Sequence, residues 1–208
     1  MAFLQNVPKV TKNLIIINIL VFVATWINEN FIIANFALFY PASPFFRIWQ
    51  PLTHMFVHGG FWHLFFNMYA LFIFGAVVEQ IIGEKKFLTL YFVCGLGAAA
   101  LHIGVQALFG GSSIPCVGAS GAIYGVIMAY AMLFPNAQLT LLFPPVTLSA
   151  KKMVLIFLAI EIVAGIFGSG QILNVSDGIA HFAHIGGMLF AFLLIFFWRK
   201  RGTLFDRN

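Results

Sequence analysis

Residues 61–82 read FWHLFFNMYALFIFGAVVEQII. The stretch is 22 residues long and carries one charge, Glu79, close to its C-terminal end. A helix rises about 1.5 Å per residue, so about 20 apolar residues cross the hydrocarbon of a bilayer. The stretch is therefore read as a membrane span. Its polar residues His63 and Asn67 stand near the opposite end, at i and i+4 on one helix face.

Similar apolar runs lie at about 14–36, 87–109, 118–134, 153–168 and 179–198. The connectors hold the breakers: Pro41 and Pro44, Gly83, Gly110 to Ser113, Pro135-Asn136, Pro144-Pro145 and Gly168 to Gly170. This pattern predicts an all-α membrane protein, a polytopic bundle of six transmembrane helices forming one domain over residues 1–208. Composition agrees, with 62% hydrophobic and 8% charged residues and a mean hydropathy of +0.99. A soluble domain carries about 25% charged residues. A soluble enzyme, a disordered chain and a nucleic-acid binder are excluded. Six spans in 208 residues leave no room for a large soluble domain, so any chemistry belongs to the bundle and its loops. Lys9 and Lys12 precede the first run as in a signal peptide, but no small-residue cleavage site follows, and the run is read as a retained span. Cys94 lies in an apolar run and Cys116 in a Gly/Ser-rich connector, and both are expected to be free thiols.

Charge placement orients the bundle. Lys9, Lys12, Lys85, Lys86, Lys151, Lys152, Arg199, Lys200, Arg201 and Arg207 all fall on one side of a six-span topology. Arg47 alone falls on the other. This bias puts both termini in the cytoplasm. Trp26, Trp62 and Trp198 fall at span ends, as an interfacial belt requires. The connector 37–60 is too apolar for a solvated loop and too broken for a span; short helices in the outer interface are expected. The short run 138–143 ends at two prolines and is read as a loop or interfacial piece.

Polar side chains inside spans are costly and face the bundle interior. Counting from the external ends, His63 is third and Asn67 seventh in span two, Ser120 third in span four and His184 sixth in span six. Three helices thus bring polar groups to one depth beneath the outer surface. Ser120 sits in Gly118-Ala119-Ser120-Gly121, and by itself this reads as close helix packing through small residues. A serine nucleophile needs a base, and His184 is the best candidate. Gly187 and Ala191 on its helix point to tight contact with span four. Tyr124, one turn below Ser120, is placed to pack on the His184 ring. Asn67 and His63 can donate to an oxyanion, as can the Ser120 backbone N–H at its helix N-terminus. Glu79 lies near the inner end of span two and Glu161 is read as mid-span five, so a carboxylate-assisted triad is not expected. Glu161 and His102 are read as polar groups satisfied within the bundle.

Taken together, Gly118-Ala119-Ser120-Gly121, His63-xxx-Asn67 and Ala183-His184-Ile185-Gly186-Gly187 resemble the rhomboid intramembrane serine proteases. The similarity runs from Trp49 to about Leu194, and the stretch Thr53 to His58 resembles the family's first external loop. It implies a protease cutting transmembrane-helix substrates near the outer boundary. In that role Ser120 is the nucleophile and His184 the general base. His63 and Asn67 are the oxyanion donors, and Tyr124, Gly118, Gly121, His181 and Gly187 support them. No cofactor, metal or nucleic acid is expected; the partners are single-span membrane proteins and the lipid bilayer. The expected place is the bacterial inner membrane, with the site opening to the extracytoplasmic side through a hydrated cavity near His54 and His58. Departures are Gln50 where many members have arginine, Ala191 where glycine is common, and His181 at a variable position. A histidine-lined metal or haem transporter and a catalytically inactive membrane chaperone are the competing readings.

Overall fold

The computed structural model describes residues 7–108, 115–141, 145–167 and 180–206. The connectors 110–113 and 168–170, Pro144 and Arg207 lie outside the described residues. The first predicted run, 14–36, is two helices: α1 (Lys9–Ile27) and α2 (Glu29–Phe36). Asn28 makes the break. Its backbone leaves the helical region at φ −152°, ψ 82°, and its side chain accepts from the Phe31 N–H at 3.1 Å, capping α2. α1 begins earlier than hydropathy alone predicts because Glu79 caps it. The Glu79 carboxylate accepts from the backbone N–H groups of Val10 (2.8 Å) and Thr11 (2.7 Å) and from the Thr11 hydroxyl. These are orphan donors of a first helical turn, and an anion suits them.

The connector that follows carries α3 (Gln50–Thr53) and a 3-10 turn (His54–Phe56), as expected of 37–60. Gln50 anchors it: fully buried, it accepts from the Phe39 N–H at 3.3 Å and donates to the Phe45 carbonyl at 2.9 Å. The span at 61–82 is one run of α4 (Phe61–Ala70), a π-turn (Leu71–Gly75) and α5 (Ala76–Ile82). Then come α6 (Glu84–Leu108), α7 (Ser120–Leu133), α8 (Ala150–Phe167) and α9 (His181–Lys200). Between α7 and α8 the segment expected as a loop or interfacial piece instead supplies strand β1 (Gln138–Thr140), antiparallel to β2 (Thr147–Ser149). The Thr140 and Thr147 hydroxyls, 2.9 Å apart, close this small hairpin.

Among the described residues, four units are long and apolar enough to cross a bilayer: α1, the α4–α5 run, α6 and α9. α8 is 18 residues long but carries Lys151, Lys152 and Glu161. α7 is 14 residues, or about 21 Å, against a hydrocarbon core of about 30 Å. At its C-terminal end the Arg199 guanidinium of α9 donates to the Met132 carbonyl. Ser120 is the first residue of α7.

The bundle centre is α6, α7 and α9, which pack most extensively. They meet through small residues. A Cβ on Gly187 would overlap the Gly121 carbonyl oxygen. One on Gly125 would stand 2.5 Å from Cys94 Sγ and 2.9 Å from the Gly187 oxygen, and one on Gly186 2.9 Å from Ala98 Cα. Bilayer helices lack a hydrophobic drive toward one another, so close backbone contact of this kind carries their association. Both cysteines are buried free thiols. Cys116 pairs with Leu38 through two backbone hydrogen bonds of 2.8 and 2.9 Å, tying the outer connector to the approach of α7.

Gly187→Ala should destabilise the protein by about 1–3 kcal/mol through overpacking. A lowered unfolding midpoint in detergent would show it. Gly104→Ala, within α6 and with nothing within 4 Å of the added methyl, should keep or raise the midpoint.

His54 and His58 are buried rather than lining an open cavity. Burial, helped by His102, lowers the His54 pKa from 6.5 to about 4. Burial and the adjacent His63 lower that of His58 to about 3. The fold holds both neutral while the unfolded chain protonates near 6.5, so their contribution is complete above pH 6.5 and declines as pH falls toward 4. Thermal unfolding across pH 7.5 to about 4.5 should show this decline, and His58→Gln should flatten it.

Candidate active site

Ser120 opens α7. The chain reaches it through Gly118, whose φ of +116° is left-handed and favours glycine. The same glycine lies against His63: a Cβ there would stand 2.6 Å from His63 Nε2 and 3.7 Å from Ser120 Oγ. Its N–H donates to the His54 carbonyl at 3.0 Å, so the outer connector holds this turn. The Ser120 N–H belongs to the first turn of α7 and has no intrahelical acceptor by geometry.

His184 comes from α9. Its Nε2 lies 2.8 Å from Ser120 Oγ, across 64 residues of sequence. The Tyr124 ring stacks on the imidazole with centroids 4.2 Å apart and planes within 4°. The predicted serine, histidine and tyrosine are thus brought together. Gly121 and Gly187 set the helix approach described above. Asn67 is buried on α4 and donates one amide hydrogen to the His63 carbonyl at 2.8 Å. Its second N–H and its oxygen are not used by that bond. His63 is half-buried, its ring edge-on to His58 at 5.1 Å.

Glu161 corrects the reading that no carboxylate reaches this depth. Its Oε2 lies 3.0 Å from His184 Nδ1 and 2.6 Å from His181 Nδ1. Its Oε1 accepts from the Tyr124 hydroxyl at 2.6 Å. The approach to His184 Nδ1 is off the line of a hydrogen bond, and that nitrogen is buried without an aligned partner among the described residues. α8 runs outward from Lys151 and Lys152, and Glu161 is the seventh residue from its outer end, Phe167. That is the same count as Asn67. The same counting applied to α8 would have found it.

Glu161, His181 and His184 also offer three ligand atoms within 4.8 Å of one another. Ligands on a tetrahedral zinc ion at about 2.0–2.1 Å stand ~3.3 Å apart. The separations of 2.6 and 3.0 Å are shorter. The Glu161 carboxylate thus contacts both imidazoles directly.

Comparison with known proteins gives the context. The Rhomboid domain family matches residues 46–201. RHOMBOID-like protein 4 of Arabidopsis thaliana is 36% identical over 148 residues, covering 71% of this chain and 33% of that protein. RHOMBOID-like protein 6, mitochondrial, from the same plant is 33% identical over 152 residues, covering 71% and 43%. Rhomboid protease GlpG of Yersinia pestis is 29% identical over 164 residues, covering 79% and 52%. The chain spans between a third and about half of the length of these relatives. With the glycine-packed helical core and the match over residues 46–201, this integral membrane protein belongs to the rhomboid family.

Proposed function

We propose that the chain is an intramembrane serine endopeptidase that cuts transmembrane-helix substrates near the outer membrane boundary. One observation carries the reading: a serine hydroxyl and an imidazole nitrogen from separate helices, 2.8 Å apart at a helix N-terminus. His184 Nε2 takes the hydroxyl proton as Ser120 Oγ attacks the scissile carbonyl carbon. The carbonyl oxygen becomes an oxyanion. The Ser120 N–H, the free Asn67 amide hydrogen and His63 are the donors for it. The imidazolium then protonates the leaving amine as the peptide bond breaks, leaving an acyl-enzyme. Water, deprotonated by His184, releases the second product and restores Ser120.

Tyr124, Gly118, Gly121, His181 and Gly187 support this machinery by holding the ring, the turn and the helix contact. Substrates are single-span membrane proteins, presented within the bilayer. The site opens on the face opposite the basic ends, the extracytoplasmic side of a bacterial inner membrane, a placement supported by the ten-to-one distribution of Lys and Arg.

Ser120→Ala and His184→Ala should each abolish cleavage of a reporter helix while leaving the unfolding midpoint close to wild type. Cleavage by either purified variant overturns the proposal. A fluorophosphonate should label wild type at Ser120, mapped by peptide mass spectrometry. Asn67→Ala should reduce kcat by about 10²–10³, the effect of losing one oxyanion donor. His181→Ala should slow turnover without eliminating it.

A further inference from the structure

We infer that Glu161 is the positioning carboxylate of a serine–histidine–glutamate relay, held by Tyr124 and His181. The inference rests on the protease reading above and adds a residue to it. An imidazole that is to take a proton at Nε2 must carry its own proton at Nδ1. The polar atom facing His184 Nδ1 is Glu161 Oε2, at 3.0 Å. A carboxylate accepts and does not donate. It therefore selects the Nδ1–H form and leaves the Nε2 lone pair toward Ser120 Oγ. When the serine proton arrives at Nε2, the imidazolium forms beside an anion and is stabilised there.

The carboxylate is itself fixed. Tyr124 donates to Oε1 at 2.6 Å while its ring stacks on His184. His181 Nδ1 contacts Oε2 at 2.6 Å, one turn before His184 on α9. One aromatic ring and one carboxylate thus set both the plane and the tautomer of the base. Glu161 and His181 are both buried, so bulk water does not compete for these contacts. The off-line geometry at His184 Nδ1 fits a site without substrate, where catalytic hydrogen bonds are often poorly aligned and tighten on binding. No covalent step is added: the proton moves between Ser120 and His184 as before, and Glu161 stays ionised.

The test compares full-length wild type, Glu161→Gln and Ser120→Ala in detergent and in liposomes. Glutamine keeps the shape but can present an N–H to Nδ1, which favours the wrong tautomer. Glu161→Gln should lower kcat at least about 100-fold with KM within about threefold, the pattern of a lost transition-state interaction. A second measurement needs no Glu161 variant. In wild type labelled with 15N-histidine, the His184 signals, assigned by their loss in His184→Asn, should show a protonated Nδ1 and a bare Nε2. A Glu161→Gln enzyme with unchanged kcat, or a wild-type His184 protonated at Nε2 in its neutral form, overturns the inference. If Ser120→Ala still cleaves, the protease reading itself falls. If Ser120→Ala is inactive and Glu161→Gln is fully active, the relay alone falls.

Discussion

Gly121 and Gly187 meet backbone to backbone, and the contact between α7 and α9 is set there. A side chain at Gly187 would drive α7 and α9 apart, and one at Gly121 would press on Ala98 of α6. Ser120 is one residue before Gly121, and His184 is three before Gly187. The 2.8 Å separation of their polar atoms is thus an extension of a packing distance. Gly125 against Cys94 and Gly186 against Ala98 bring α6 into the same contact and brace it from the side. In a bilayer, where apolar surface gains nothing by leaving lipid for protein, such packing carries the geometry. The site has the rigidity of the tightest part of the bundle.

A second set of contacts seats the outer rim. The Leu38–Cys116 bridge and the Gly118 N–H to the His54 carbonyl tie the connector 37–60 to the turn that enters α7. The buried, neutral His54 and His58 belong to this seam and not to a water-filled mouth. His58 lies edge-on to His63, so the connector also bears on a residue proposed to meet the oxyanion. At the other end Glu79 caps α1 and Arg199 holds the end of α7. These two helix termini are secured by different chemistry, anion at a helix start and cation at a helix end, as helix dipoles favour.

Much of this was legible in the sequence for a physical reason. Membrane spans announce themselves by length and hydropathy, and depth follows from counting residues at a fixed rise. That is why Ser120, His184, His63 and Asn67 could be assigned to one level before any coordinates. What stayed hidden depends on local chemistry that counting does not see. The first run breaks at Asn28, where a side-chain cap outcompetes an apolar continuation. The hairpin at β1 and β2 forms from a pairing between segments too short to carry a pattern. Glu161 was missed differently. Hydropathy puts it mid-span, yet it is as far from Phe167, the end of α8, as Asn67 is from Phe61, the start of α4.

Apart from Glu79, which caps α1 from across the bundle, the bonded polar residues of the spans divide by where their partners lie. Asn18 bonds to the Leu14 carbonyl, Thr25 to that of Val21 and Thr89 to that of Lys85, each one turn back on its own helix. Such back-bonding satisfies a polar group locally and asks nothing of its neighbours. Ser120, Tyr124, Glu161, His181 and His184 instead find one another across α7, α8 and α9. Asn67 spends one amide hydrogen on its own helix and has one left over. A polar group that forgoes the local carbonyl takes on the desolvation cost of burial and recovers it only if three helices stay in register. Such a network is a poor way to hold a bundle that glycine contacts already hold. It is a good way to fix the tautomer and plane of one imidazole, and that difference is the physical case for reading the cluster as machinery rather than scaffold.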